Sequence, residues 1–331
     1  MRTLFGKAGV AALGLVVTLL AAGCGADDTA VPPARPAAAA LPQPEGAGVV
    51  TEVPEADSQP DCGDPTASLR PRRGVPSPGR FASGSTMARI VADGKLIVGV
   101  DQNTYRFGFR DPLTGDIEGF DIDMARAIAE ALFGDRDRVQ LKVLTSEQRI
   151  PALRDGDVDI VIRTMTINCE RLADVDFSTV YYQAGQRVLV KSNSGYTGMD
   201  SLGGKKVCAT EGSTSLRNIA ESPAGPVPVQ VADWTDCLVM LQQNQVEAIS
   251  TDDTILAGLT AQDPFTTVVG EPLHAEPYGI AFPKGHEDFV RFVNGVLDRM
   301  RSDGTWKALY DKWVAALLGP APQPPSARYR D

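Results

Sequence analysis

DIDMARAIAEALFGDRDRVQLKVLTSEQRIPALRDGDVDIVI, residues 121–162, decides how this chain is read. Its first third puts Ile122, Ala125, Ile128, Ala129 and Leu132 at helical spacing, which gives one apolar face. VQLKVL (139–144) then reads as a strand, Arg149–Arg154 as a short helix and VDIVI (158–162) as a buried strand. Upstream, Ser85 is placed to cap a helix over TMARIVADG that stops at Gly94. LIVGV (96–100) follows as a strand, Phe107–Phe109 as another, and Asp111-Pro-Leu-Thr-Gly115-Asp as a turn. After Lys191 the alternation resumes: VCAT (207–210), a helix from Ser213, VPVQV (227–231), a helix from Trp234, VEAIS (246–250). Strand and helix in alternation predict an α/β fold with largely parallel pairing. No solenoid period is visible.

The ends differ in kind from this body. Arg2 and Lys7 open the chain, residues 8–22 are almost wholly apolar, and Gly23-Cys24 follows. The run is too short for a comfortable membrane span and reads as a secretory signal peptide over residues 1–23. The residues around the cut resemble a bacterial lipobox, although Ala21 stands where that pattern prefers Leu and Leu20 lies one position further away. The resemblance implies that Cys24 becomes a lipidated N-terminus, outside the cytoplasm and tied to a membrane. Residues 24–84 are rich in Ala, Pro and Gly and read as a tether, since such a composition buries too little surface to offset its ordering entropy. Its basic stretch RPRRGVPSPGR (70–80) either touches anionic lipid or is a solvated linker.

The chain's 331 residues suffice for two modest domains. A formal net charge of −10 argues against nucleic acid as a partner. With Cys24 set aside, Cys62, Cys169, Cys208 and Cys237 allow two disulfides in three connectivities. There is no CxxC, and neither His274 nor His286 lies near a cysteine in sequence, so no zinc site is expected. No Ser-His-Asp order and no histidine motif appears, so neither enzyme chemistry nor a cofactor is expected.

Four stretches belong together: GFDIDMARAIAEA (119–131), IPALRDGDVDIVIRTMTINCER (150–171) running on to ADVDFSTVYY, LGGKKVCATEGSTS (202–215) and YGIAFPKG (278–285). In this order and spacing, over roughly residues 85–318, the chain resembles the family 3 solute-binding proteins of polar amino-acid ABC transporters. The resemblance implies the two-lobed periplasmic-binding-protein type II fold. Lobe 1 would hold residues 85–187 plus 278–318 and lobe 2 residues 188–277, joined by two hinge strands, with residues 319–331 as a tail. An amino acid would sit in the cleft. A planar guanidinium suits its carboxylate, and Arg171 matches the family's carboxylate-binding arginine, with Thr164 and Thr166 beside it. Gly212, Ser213 and Thr214 open a helix in the other lobe and offer N–H groups to the same carboxylate. Asp252 matches the ammonium-binding acid. Ser146 and Arg149 match positions that take the side-chain carboxylate in glutamate- and aspartate-binding members. Arg163 either adds positive potential or pairs with a nearby acid. Asp101 suits an amide side chain or pairs with an arginine. Tyr105 is the candidate aromatic cover, in place of the family's usual Pro-Pro-Phe.

The same layout implies the pairs Cys208–Cys237, on a strand and helix of lobe 2, and Cys62–Cys169, pinning the tether's end to lobe 1. The function implied is a lipid-anchored, extracytoplasmic receptor that captures L-glutamate or L-aspartate for an ABC permease. The alternatives are a glutamine receptor and a sensor read by a membrane signalling partner. Family behaviour implies a monomer.

Overall fold

The computed structural model describes residues 41–51, 61–72 and 74–331. The signal peptide and Cys24 lie outside the described residues. Every element below belongs to the unit Pro42–Asp331.

In chain order these are β1 (Gly48–Val49), α1 (Thr86–Ala92), β2 (Leu96–Val100), β3 (Asn103–Thr104), β4 (Gly108–Arg110), β5 (Ile117–Glu118), α2 (Phe120–Phe133) and β6 (Val139–Val143). Then come α3 (Arg149–Arg154), β7 (Ile160–Val161), α4 (Cys169–Asp174), β8 (Val175–Phe177), β9 (Tyr182–Lys191), β10 (Lys206–Thr210), α5 (Thr214–Ala220) and β11 (Val227–Val231). The chain ends through α6 (Trp234–Gln242), β12 (Ala248–Asp252), α7 (Asp253–Gln262), β13 (Thr266–Tyr278), β14 (Ala281–Pro283), α8 (Glu287–Ser302), α9 (Thr305–Trp313) and α10 (Ala315–Leu318).

One sheet has the order β6-β2-β7-β14-β8, the other β1-β11-β10-β12-β9-β13, and β3-β4-β5 form a small antiparallel sheet. The parallel pairs β2·β6, β2·β7, β10·β11 and β10·β12 are the α/β signature of the fold. Helix starts follow local chemistry. Ser85 Oγ accepts from the Ala88 N–H at α1, and Ser213 Oγ from the Leu216 N–H at α5. Ile122, Ala125, Ile128 and Leu132, the apolar face of α2, are buried against β2, α8 and α9 in one core. A second core gathers Val207, Ala209, Ile249, Leu241 and Leu256 around β10, β12, α6 and α7.

Two strands belong to both cores. In β9, Tyr182 and Ala184 pack in the first and Val188–Val190 in the second. In β13, Val268 and Val269 pack against the second and Tyr278 lies in the first. Their antiparallel register slips between Val269 and His274. A break in the ladder at a crossing between cores concentrates bending there.

The stretch read as tether is partly built into the fold. Strand β1 pairs antiparallel with β11, and Gln245 Nε2 donates to the Pro42 carbonyl. Cys62 is bonded to Cys169. Ser68 and Leu69 are buried, and Asn294 of α8 donates to both. Phe81 sets its edge on Phe292, with centroids 5.4 Å apart. The tail returns to the same segment: Tyr329 bridges Ser68, and Asp331 pairs with Arg291 at 2.5 Å. Composition alone overlooked this because the attachments are few. One disulfide, backbone pairing at an open sheet edge and a handful of apolar anchors suffice.

Candidate functional site

The site forms where the ends of both sheets meet. Ser146 and Arg149 come from the start of α3, Thr164 and Thr166 from the β7–α4 loop, and Arg171 from α4. Ser213 and Thr214 come from the start of α5 and Asp252 from the end of β12. These eight line a cavity of about 240 Å3, of which about 10 Å3 admits the centre of a water molecule. About 10 Å3 is room for a single water, so these walls are closed on one another and an amino acid would enter only as they part. The cavity adjoins a cleft of about 610 Å3 that Gly212 lines.

Buried polar groups hold the walls. The Asn168 side chain caps α4 by accepting from the Arg171 N–H. Asp121, buried at the start of α2, accepts from the Thr164 N–H at 3.0 Å and the Tyr181 hydroxyl at 2.9 Å. Burial pushes its carboxyl up to about 7. Asp121 thereby fixes Thr164 at φ +41°, a conformation costly for a β-branched residue.

The cleft is closed. Arg149 Nη2 and Arg171 Nη2 both donate across it to the Gly212 carbonyl, at 3.0 and 3.1 Å. Thr210 Oγ1 donates to Ser146 Oγ at 3.1 Å. Arg217 of α5 pairs with Glu170 of α4 through both oxygens. Gly212 permits this approach: its φ is +70°, and a Cβ there would sit 2.4 Å from Glu147 Oε2 and 2.8 Å from Glu147 Cα.

Charge around the cavity is unevenly compensated. Arg149 is 3% exposed and Arg171 7%. Among the described residues, neither has a carboxylate within 4.0 Å, whereas their neighbours Arg163 and Arg217 do. Arg149 spends its donors on the carbonyls of Ser146, Arg163 and Gly212. Burial, with Arg171 and Arg163 nearby, pushes its guanidinium pKa well below the usual value. Asp252 has the opposite deficit. Its Oδ2 accepts from the Tyr278 hydroxyl at 2.6 Å, while Oδ1 is buried with no partner. Burial first, then Glu276, lift its carboxyl well above the usual range.

Three sequence candidates stand elsewhere. Asp101 does not line the cavity. It pairs with Arg163 at 3.1 Å, both fully buried, and Arg163 reaches the wall only through Ser146, to whose Oγ it donates at 2.8 Å. Each was expected to have an oppositely charged partner as one of its two roles, and here the two pair with one another. Tyr105 packs against Phe109 and beside Gly258 of α7, away from the cavity. The Ser213 hydroxyl lines the cavity but is already engaged, donating to the Thr210 carbonyl and accepting from Leu216.

Sequence reasoning missed two further groups. Trp234, read only as a helix start, lines the cavity with its buried indole N–H unpartnered. Glu276 of β13 accepts from the hydroxyls of Thr166 and Thr214 and from Asn218. Nothing in GEPLHAEPY marks it, because only the crossing of β13 between the cores brings it there. Cys208 is bonded to Cys237, beside the strand and helix that present this half of the site. Among the described residues no cluster could hold a metal, and no helix is long and apolar enough to cross a membrane.

Comparison with known proteins agrees with this architecture. The glutamine-binding protein GlnH of a Bacillus subtilis ABC transporter is 40% identical over 69% of this chain and 84% of its own. An L-glutamate/L-aspartate-binding protein of Pseudomonas aeruginosa is 30% identical over 71% of this chain and 82% of its own. A solved ancestral arginine-binding protein bound to glutamine superposes with TM-score 0.62 at 36% identity, covering 67% of this chain and 98% of that one. These relatives are solute receptors and not enzymes, and the family model for extracellular solute receptors matches residues 96–316. With its two sheets, two crossing strands and closed polar cleft, the chain belongs to the bacterial extracellular solute-binding proteins, family 3.

Proposed function

We propose that the protein is a lipid-anchored extracytoplasmic receptor that captures L-glutamate or L-aspartate and passes it to an ABC permease. One observation carries the choice of ligand: two buried guanidiniums line the cavity with no carboxylate within 4.0 Å, and one buried carboxylate oxygen has no donor. An acidic amino acid is the complement, with two carboxylates and one ammonium. Arg171, with Thr166, would take the α-carboxylate, Asp252 the ammonium, and Arg149 with Ser146 the side-chain carboxylate. An isolated buried charge is costly, and an ion that neutralises it recovers that cost. Closure is then favoured by ligand, because residues from both sides hold one molecule.

Glutamine is the second reading, favoured by the names of two relatives, 40% and 37% identical. Its amide would satisfy donors at Arg149 but leave the charge uncompensated. Titration calorimetry of the purified protein against glutamate, aspartate, glutamine and asparagine decides between them. The acidic reading expects dissociation constants near a micromolar, about −8 kcal/mol, for glutamate or aspartate. Tight glutamine binding with no heat from either acid would overturn it.

A further inference from the structure

Around the cavity stand three buried guanidiniums, Arg149, Arg163 and Arg171, and Asp101 is the acid one of them has claimed. Asp101 closes β2 and is 2% exposed. Its Oδ1 accepts from the N–H groups of Gln102 and Asn103, at 2.7 and 3.1 Å. Its Oδ2 accepts from the Thr104 hydroxyl at 2.6 Å and faces Arg163 Nη2 at 3.1 Å. So many donors hold this carboxylate in place.

Arg163 is held as firmly. Its Nε donates to the Leu144 carbonyl at 2.7 Å and its Nη1 to Ser146 Oγ at 2.8 Å. Nη2 meets Asp101 as an ion pair without an aligned hydrogen bond. The pair therefore lies one side chain behind the wall that Ser146 and Arg149 form. Arg149 feels both members: Arg163 disfavours its charge and Asp101 favours it.

We propose that Arg163 sets the charge of the ligand by neutralising Asp101, so that Arg149 is left to be neutralised from outside. Arg163 is a positioning residue here, acting through Asp101 and Ser146. Without its cation, Asp101 would act unopposed on Arg149, ahead of Asp252 among the acids that favour its charge, and an incoming side-chain carboxylate would meet a site already neutral. A neutral amide side chain would lose far less. Selectivity for charge thus depends on which arginine takes the internal acid. This rests on the acidic-ligand reading above.

The test is calorimetry of the full protein with glutamate, aspartate and glutamine, on wild type, Arg163→Met, Asp101→Asn and the double variant, each checked by thermal denaturation. Arg163→Met should weaken both acids by about 30-fold or more and glutamine by no more than about three-fold, as expected for one uncompensated charge several ångströms away. In the double variant, where neither charge remains, the preference for acids should return to within about five-fold of wild type. Asp101→Asn alone should leave acid binding at least as tight. Equal loss of all ligands in Arg163→Met, with no recovery in the double variant, would mean that Arg163 only supports the fold, and the proposal fails. If Arg163→Met does not fold, the Asp101→Asn and double variants decide by the same ratio. A wild type that ignores acidic ligands overturns the functional reading itself, which is a separate outcome.

Discussion

Replacing Asp252 by Asn separates binding from stability in a way that a merely structural aspartate would not. Asp252 is 4% exposed, at the junction of β12 and α7. Asn keeps an acceptor for the Tyr278 hydroxyl and removes a buried charge whose second oxygen has no partner. In the ligand-free protein, burial and Glu276 raise this carboxyl well above its unfolded value. The folded state then binds the proton more tightly than the unfolded chain. The group's contribution to stability is present at low pH and is lost as pH rises through the unfolded and then the folded pKa. Asp252→Asn should therefore flatten that part of the pH dependence and raise the ligand-free Tm at neutral pH, by about 2 °C for each kcal/mol recovered. Binding should move the other way. Removing one partner of a buried ion pair costs about 3–5 kcal/mol, or roughly 150- to 5,000-fold in affinity. Calorimetry with glutamate and thermal denaturation at several pH values measure both. Glutamate bound within ten-fold of wild type, or a lower ligand-free Tm, would refute the assignment of Asp252 to the ammonium.

Arg149→Met should weaken glutamate and aspartate by about 100-fold or more and glutamine much less, since the lost partner is a charge-assisted one; calorimetry across the three ligands reads it. Gly212→Ala places a Cβ against Glu147 only when the cleft is closed, and at φ +70° it adds local strain. It should raise the dissociation constant for every ligand by about ten-fold through an off-rate increase, seen by stopped-flow. Cys62→Ser opens a loop of sequence separation 107. It should lower stability to urea by up to about 4.8 kcal/mol, and leave the free thiol of Cys169 two residues from Arg171 open to labelling. Asp121, whose pKa is pushed up to about 7 from 3.8, stabilises the fold at low pH and loses that effect as pH rises between these values. Urea midpoints of Asp121→Asn should vary less than wild type between pH 5 and pH 8, a difference in stability of at most about 3 kcal/mol.

The readable parts of this protein were local. The apolar face of α2, the caps at Ser85 and Ser213 and the strands LIVGV and VPVQV each depend on residues within a few positions of one another. The α/β class followed from their alternation. Arg171, Asp252 and Arg149 were picked out by resemblance to a family's motifs, and the structure sets all three around one cavity. Glu276 and Trp234 were not, because neither carries a local pattern. Each matters only through the groups that the two crossing strands and the closed cleft set against it.

Sequence by itself determined which residue types were available: three arginines and several acids near the strand ends, two pairs of cysteines, and a Pro/Ala-rich approach to the body. Tertiary structure decided how they were spent. It joined Asp101 to Arg163 across 62 positions and left Arg149 and Arg171 without a carboxylate. It also paired Gly48–Val49 with one sheet and packed Leu69, Val75 and Phe81 on the other core. The physical reason is range. Helix caps and apolar periodicity act over about four residues, whereas charge compensation falls to whichever groups the packed chain brings within a few ångströms. Backbone pairing at a sheet edge asks almost nothing of side chains and so leaves little trace in composition.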